Sequence, residues 1–368
     1  MTPENPRLAR LRGGIAPVEV GARGIESVAR NAGCTRLRAI VIAGLTPGEV
    51  IKHVFQAEPD IMSPFAMTLS QAFQRRLLGN GGSSLLTAYR DKGMLGQTEV
   101  KITSVADQAP GDSVVARRRR EAETQRLIDL KHAGNPNAPN LILNPRLPLE
   151  LVGVDHPIEL DYMVAADADP SYRFGTIKSY ADRGGKTDQA DIRAACREAA
   201  VGTLALRQHI TARGGDPAVA TDRVDMVLRA PGSFNPRLFA AMRAESELAS
   251  LVRALSAAPA DLDEVERLVP AGRTFANAQV VEQLPNNYRS ACKEHCALWE
   301  RCRAQALAGG QPIILGDLAA EQLAAAGSIA RAIDLLDGRG RPPNNRAEAA
   351  LSVELRAASA LLDRIANG

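Results

Sequence analysis

The chain has 368 residues, 45% of them hydrophobic and 24% charged, with a formal net charge of +3. That is ample for an apolar core in one large domain or two ordinary ones, and the charge alone is too small to mark a nucleic-acid binder. The absence of any run of about 18 apolar residues argues against a membrane span. The start MTPENPRLARLRGGIAPVEV has arginines but no continuous apolar stretch after them, which argues against a secretory signal. A cytoplasmic location is expected, where thiols stay reduced and spaced cysteines point to metal or catalysis rather than disulfides.

Arg7, Arg10, Arg12, Arg23, Arg30, Arg36 and Arg38 make the first forty residues basic. Thr46 before Pro47 signals a helix start. In SPFAMTLSQAFQRRLLGNGGSSLLTAYRDKGML, Phe73, Leu77 and Leu78 fall at helical spacing, Asn80-Gly81-Gly82 interrupts, and Leu85, Leu86 and Tyr89 resume, so two helices are expected. Glu99 to Val105 alternates like a strand. Arg117 to Leu130 reads as a helix opening on four consecutive arginines, Arg117 to Arg120, which form either a phosphate contact or a solvated face. Leu149 to Val154, Ile158 to Ala165 and Arg173 to Tyr180 read as strands. A helix from Gln189 to Gln208 follows, with a narrow stripe of small residues at Ala195, Cys196, Ala199, Ala200 and Thr203 that would let it lie close to a sheet. Arg223 to Arg229 is another strand. Beyond Pro231 helices are expected over Leu238 to Leu255, Leu262 to Leu268, the cysteine stretch, Ala319 to Leu336 and Ala347 to Ile365. The order of helix, three strands, helix and strand implies an α/β layer arrangement.

Four cysteines frame this order. Cys34 stands in ARNAGCTRLRAI, while Cys292, Cys296 and Cys302 stand together in ACKEHCALWERCRAQ. Four thiolates can complete the shell of a [4Fe-4S] cluster or of a structural zinc. The C-x3-C-x5-C spacing lacks the paired C-x2-C knuckles usual for zinc and favours iron-sulfur. Cys196 lies on the apolar stripe and reads as a small core hydrophobe. His295, inside the cluster stretch, is a fifth candidate ligand but is expected rather to face solvent, and Trp299 to pack beside the cluster as a shield.

Within the frame, alternation along a strand puts Glu159 and Asp161 on one face about 7 Å apart, and Thr176 and Lys178 on one face of the next strand. An acid that holds a divalent metal beside a lysine is the core of metal-assisted phosphodiester hydrolysis; the alternative is a surface ion pair.

A strand bearing Asp161, a hairpin to Thr176-Ile177-Lys178, a helix and a closing strand resemble the PD-(D/E)xK nuclease core. One cysteine before that core and three after it resemble the iron-sulfur branch of RecB-type nucleases, over roughly 34–302. The resemblance implies a mixed central sheet flanked by helices, a helical C-terminal region stapled by a four-cysteine cluster, and a [4Fe-4S] centre on Cys34, Cys292, Cys296 and Cys302. It also implies DNA cleavage with Mg²⁺ or Mn²⁺, with Asp161 and Lys178 at the site. Thr176 stands where the family has an acid, Gln74 where it often has an acidic or histidine ligand, and Glu198 and Gly202 where it commonly has Gln and Tyr. Glu159 is then the expected second metal ligand and catalytic acid, with Asp155, Asp182 and Asp188 as weaker candidates on turns. The expected organisation is an N-terminal segment at 1–62, the nuclease-like core at 63–230, a helical region closing the cluster at 231–310 and C-terminal helices at 311–368. Two functions fit: a DNA nuclease of repair, recombination or defence, or an inactive DNA-binding or scaffold subunit. The expected partners are DNA and a helicase or second nuclease, with no membrane.

Overall fold

Aliphatic strands bounded by turn residues build a six-stranded mixed sheet, and helices cover both of its faces. The structure, a computed structural model, describes residues 5–59, 64–95, 100–182, 184 and 187–367. The strands are β1 (Ile102–Ser104), β2 (Leu141–Leu143), β3 (Arg146–Leu151), β4 (Val154–Glu159), β5 (Tyr162–Val164), β6 (Arg173–Ala181), β7 (Arg223–Arg229) and β8 (Pro236–Arg243). Sheet order is β1-β2-β5-β6-β7-β8, while β3 and β4 form a separate hairpin. β5 and β6 are antiparallel; β6 and β7 are parallel. A parallel pair needs a crossover, and the helix Gln189–Ala212 supplies it.

Alternation across the pleat sorts the core into two layers. Ile142, Met163 and Phe174 face the larger core, with Ala199, Ala200 and Leu206 of the crossover helix and with the helices Gly21–Arg30, Thr35–Ile42 and Glu245–Leu268. Leu141, Leu143, Tyr162, Ile177 and Val227 face the other way, against Phe73, Leu77, Leu85 and Tyr89 of the helical segment Pro64–Asp91. That segment is two helices joined by non-helical Gly79 to Gly82, as the Asn-Gly-Gly signal implied, with Asn80, Gly81 and Gly82 at φ 50°, 63° and 73°. The α/β class is therefore that of the chain.

The larger core runs from Leu8 to Cys302 and draws on the first three expected segments. Residues beyond 311 keep a small cluster of their own around Ala326, Ala332, Leu335 and Leu351.

Several elements differ from their sequence reading. The stretch Leu238 to Arg243 is not helical: it belongs to β8, paired with β7, and helix begins only at Glu245. Ala241 sits at φ 53° where the register shifts, so a bulge interrupts the strand's alternation and hides its period. One helix, Glu245–Leu268, replaces two, carrying Pro259 in its interior. The strand expected over Ile158 to Ala165 breaks at Leu160 and Asp161, since β4 pairs with β3 while β5 joins the main sheet. Of the strand expected from Glu99, Glu99 lies outside the described residues, and β1 starts at Ile102.

Candidate active site and cysteine clasp

The break between β4 and β5 decides which side chains meet. Asp161 sits in it, with its carbonyl accepting from the Asn144 amide at 2.9 Å. Its carboxylate accepts from Gln74 Nε2 at 3.0 Å, Thr176 Oγ1 at 3.3 Å and the Ile177 amide at 2.6 Å. Lys178, next along β6, reaches Glu198 of the crossover helix, Nζ to Oε2 2.5 Å. Both charges of that pair act on Asp161, in opposite senses. Four elements thus bring Gln74, Asp161, Thr176, Lys178 and Glu198 together. An open groove of about 430 Å³, lined by Gln71, Gln74, Arg75, Leu78 and Gly79, lies alongside through Gln74.

Glu159 is not part of this constellation. It ends β4 directly opposite Arg146 of β3 and is held by Arg146 Nη1 at 3.1 Å, with Arg120 Nη2 at 3.9 Å. The expectation failed because it assumed one continuous strand through 159 and 161; the break removes the shared face. Asp182 accepts from Gly184 and Asp188 caps the crossover helix, so both acids serve local turns. The carboxylate that does reach Lys178, Glu198, stood in the sequence at the family's Gln position. It could have been found there by asking which acid lies on the helix above the lysine strand.

Burial holds the Asp161 carboxyl up at about 6, against the downward pull of Lys178 and the Ile177 amide. Among the described residues its hydrogen bonds come from neutral groups, since the lysine is bonded to Glu198. A partly buried carboxylate so arranged suits a hard cation. Asp161 and Glu198 with neutral oxygens and water match the one or two carboxylates that Mg²⁺ accepts. Among the described residues no three or more His, Cys, Asp or Glu side chains stand together as a single-ion site, so an ion here would be completed by neutral oxygens and water.

The four cysteines lie within electrostatic reach of one another. Cys34 caps the helix Thr35–Ile42 and lies near enough to act electrostatically on Cys292, Cys296 and Cys302. All four are free thiols, and Cys34, Cys292 and Cys302 are buried. Donors point at the sulfurs: Arg36 Nη1 to Cys302 Sγ at 3.2 Å, and Asn31 Nδ2 and the Arg289 amide to Cys292 Sγ at 3.5 and 3.4 Å. Burial pushes the Cys292 and Cys302 thiols up, Cys302 to about 11. A bound centre would supply the positive charge that deprotonates such ligands. Four soft donors with amide and guanidinium hydrogen bonds aimed at sulfur fit an iron-sulfur cluster.

Cys196 is buried in the core, as its place on the stripe implied. His295 does not face solvent: both ring nitrogens are buried, and burial with Arg30 nearby lowers it to about 4, against the upward pull of a backbone hydrogen bond at Ala291. The chain between Cys292 and Trp299 is a 3-10 helix followed by turns, which removes the helical spacing invoked for Trp299; Leu298 is buried in the core there. The basic N-terminal stretch is largely engaged within the chain. Arg7 pairs with Glu266, Arg30 with Glu26 and Arg38 with Asp261. Of the arginine run, Arg118 and Arg119 are exposed, while Arg117 pairs with Glu19 and Asp112 and Arg120 is buried.

Comparison with protein-family models, curated proteins and solved structures finds no match. No helix of the described residues is long and apolar enough to cross a membrane.

Proposed function

We propose that the chain is an iron-sulfur-stapled DNA nuclease with a PD-(D/E)xK-type core, working in repair, recombination or defence. The observation that carries this reading is Glu198: a second carboxylate stands at Lys178 beside partly buried Asp161, where Thr176 leaves the strand without one. Asp161 and Glu198 would hold Mg²⁺ or Mn²⁺, which supplies Lewis-acid stabilisation of the phosphate and a nucleophilic water. Thr176 and the Ile177 amide orient the Asp161 carboxylate from below. Lys178, once Glu198 turns to a cation, is free to place its Nζ on a phosphate oxygen and balance the charge that develops there. The groove beside Gln74, with Arg75 on its wall, gives a strand a route to the site.

Purified anaerobically, the protein should degrade single- or double-stranded DNA with Mn²⁺, and Lys178→Ala and Glu198→Gln should each abolish cleavage. Wild type and Lys178→Ala equally inert on both substrates would falsify the enzyme reading. A DNA-binding or scaffold subunit working with a helicase or second nuclease is the second reading. It is favoured by the way Gln74 and Thr176 already occupy Asp161. It predicts salt-sensitive DNA binding without cleavage.

A further inference from the structure

Arg36 is 2% exposed, which makes it one of the most deeply buried charges in the protein. A buried guanidinium ordinarily sits against a carboxylate, because an unpaired charge in low dielectric is costly. Buried Arg146 and Arg331 follow that rule: Arg146 meets Glu19 at 2.6 Å and Glu159 at 3.1 Å, and Arg331 meets Glu348 at 2.7 Å. Arg36 has no carboxylate partner among the described residues. One Nη2 serves the Glu282 and Leu284 carbonyls at 2.6 and 2.9 Å and Gln305 Oε1 at 2.9 Å, all neutral, and Nε has no partner. The remaining nitrogen, Nη1, points at Cys302 Sγ, 3.2 Å away. The anion that compensates this cation is therefore to be sought at the cysteines.

We infer that Arg36 is the charge-setting residue of the cysteine centre: its guanidinium, hydrogen-bonded to the Cys302 sulfur, raises the reduction potential of a [4Fe-4S] cluster bound there. The inference rests on the iron-sulfur reading. In a cluster held by four thiolates the ligand charge outweighs that of the core, so the oxidised centre is already an anion. Adding one electron from a low-potential donor makes it a stronger one, with no bond to the ligands broken. A cation fixed beside one sulfur in a buried site stabilises the reduced form more than the oxidised form. Net charge, hydrogen bonds to sulfur and solvent exposure are the terms that set such potentials, and Arg36 bears on the first two while 6% exposed Cys302 bears on the third.

The test is a mediated anaerobic redox titration of the full chain with dithionite, followed by loss of visible absorbance and appearance of the reduced-cluster resonance. Arg36→Gln is expected to lower the equilibrium constant for reduction about tenfold, equivalent to about 59 mV for a one-electron couple, with Arg36→Lys between it and wild type. Arg36 also holds two backbone carbonyls, so its removal could cost the fold. Gln305→Glu answers this by leaving Arg36 in place and giving it a carboxylate, which draws its charge from Cys302 and should lower the potential too. Arg38→Gln, whose partners are Asp261 and Glu264, should leave the potential unchanged. A purely structural arginine would change melting temperature or cluster occupancy without moving the potential of the loaded fraction. An unshifted potential in Gln305→Glu and Arg36→Lys overturns the inference while the cluster stands. A preparation holding zinc or no iron overturns the iron-sulfur reading and the inference with it.

Discussion

Asp161 places a negative charge in a partly buried position, and this has a thermodynamic consequence of definite sign. Its carboxyl is raised from 3.8 to about 6 by burial, so between those values the folded chain binds more protons than the unfolded one. Stability contributed by the protonated form is present at low pH and is lost as pH rises through about 6. Asp161→Asn removes the charge. The amide oxygen can keep the Thr176 and Ile177 donors, and Gln74 can turn its carboxamide to accept from the new NH₂. In metal-free protein the variant should be more stable than wild type at neutral pH, by up to about 3 kcal/mol at 1.36 kcal/mol per unit. The advantage should shrink toward about pH 4 as Asp161 itself becomes protonated. Urea denaturation in EDTA at several pH values measures this, and a variant less stable at every pH refutes it. Glu159 and Glu198 give a paired test at the same scale. Mn²⁺ affinity should drop tenfold or more in Glu198→Gln and stay unchanged in Glu159→Gln, because only the first acid stands with Lys178 and Asp161. Equal losses would mean that the ion sits elsewhere.

At the scale of elements, the site depends on how closely the helix Gln189–Ala212 lies on the sheet, since that helix carries Glu198. Gly202 shows the closeness: a Cβ there would stand 2.1 Å from Leu160 Cδ1 and 2.7 Å from the Phe174 ring. Those neighbours flank the strand break and begin β6, so Gly202→Ala should push the helix away from the residues that present Asp161 and Lys178. A loss of about 1–3 kcal/mol is expected from such overpacking, read as a lower urea midpoint, with weaker Mn²⁺ binding alongside. Unchanged stability would show that the helix can shift without cost. The stripe of alanines and cysteine made this helix legible in sequence, and Gly79 to Gly82 made the preceding helix pair legible. What periodicity could not show was pairing choice. Ile158 to Ala165 is apolar enough for one strand, yet Arg146 opposite Glu159 fixes β4 to β3, and Leu160 turns the chain, its amide bonding to the Pro145 carbonyl at 3.1 Å. That single break removed Glu159 from the site. Likewise the bulge at Ala241 donates its amide to buried Asp225, also bonded by Tyr89, a tertiary arrangement that the local pattern RLFAAMR does not encode.

At the scale of the molecule, the four cysteines come from the two ends of one core, so a centre bound by them would join one core rather than two domains. The N-terminal segment is already tied to the later helices without them. Arg7 pairs with Glu266, the Phe275 amide bonds to the Leu11 carbonyl at 2.7 Å, Asn31 and Asn287 exchange hydrogen bonds, and the Arg301 guanidinium lies 3.7 Å above the Phe55 ring. A centre bound by the cysteines would therefore reinforce a closed structure and would not have to create it. Cross-linking positions so far apart in sequence restricts the unfolded chain strongly, while the existing contacts make the folded state tolerant of losing one ligand. Cys34→Ser should accordingly lose absorbance near about 400 nm and about 2–4 kcal/mol of stability, the range of a covalent cross-link, yet still fold. Limited proteolysis should then find its first new cuts where the N-terminal helices meet the stretch from Leu284 to Cys302, with the sheet protected. Cys196→Ser, buried on the crossover helix, should keep the colour. If Cys34→Ser keeps it as well, the fourth ligand is another residue, and the long-range staple is absent. If instead the whole chain unfolds, the cluster creates the closed structure, and the contacts of Arg7, Leu11 and Asn31 are its consequence.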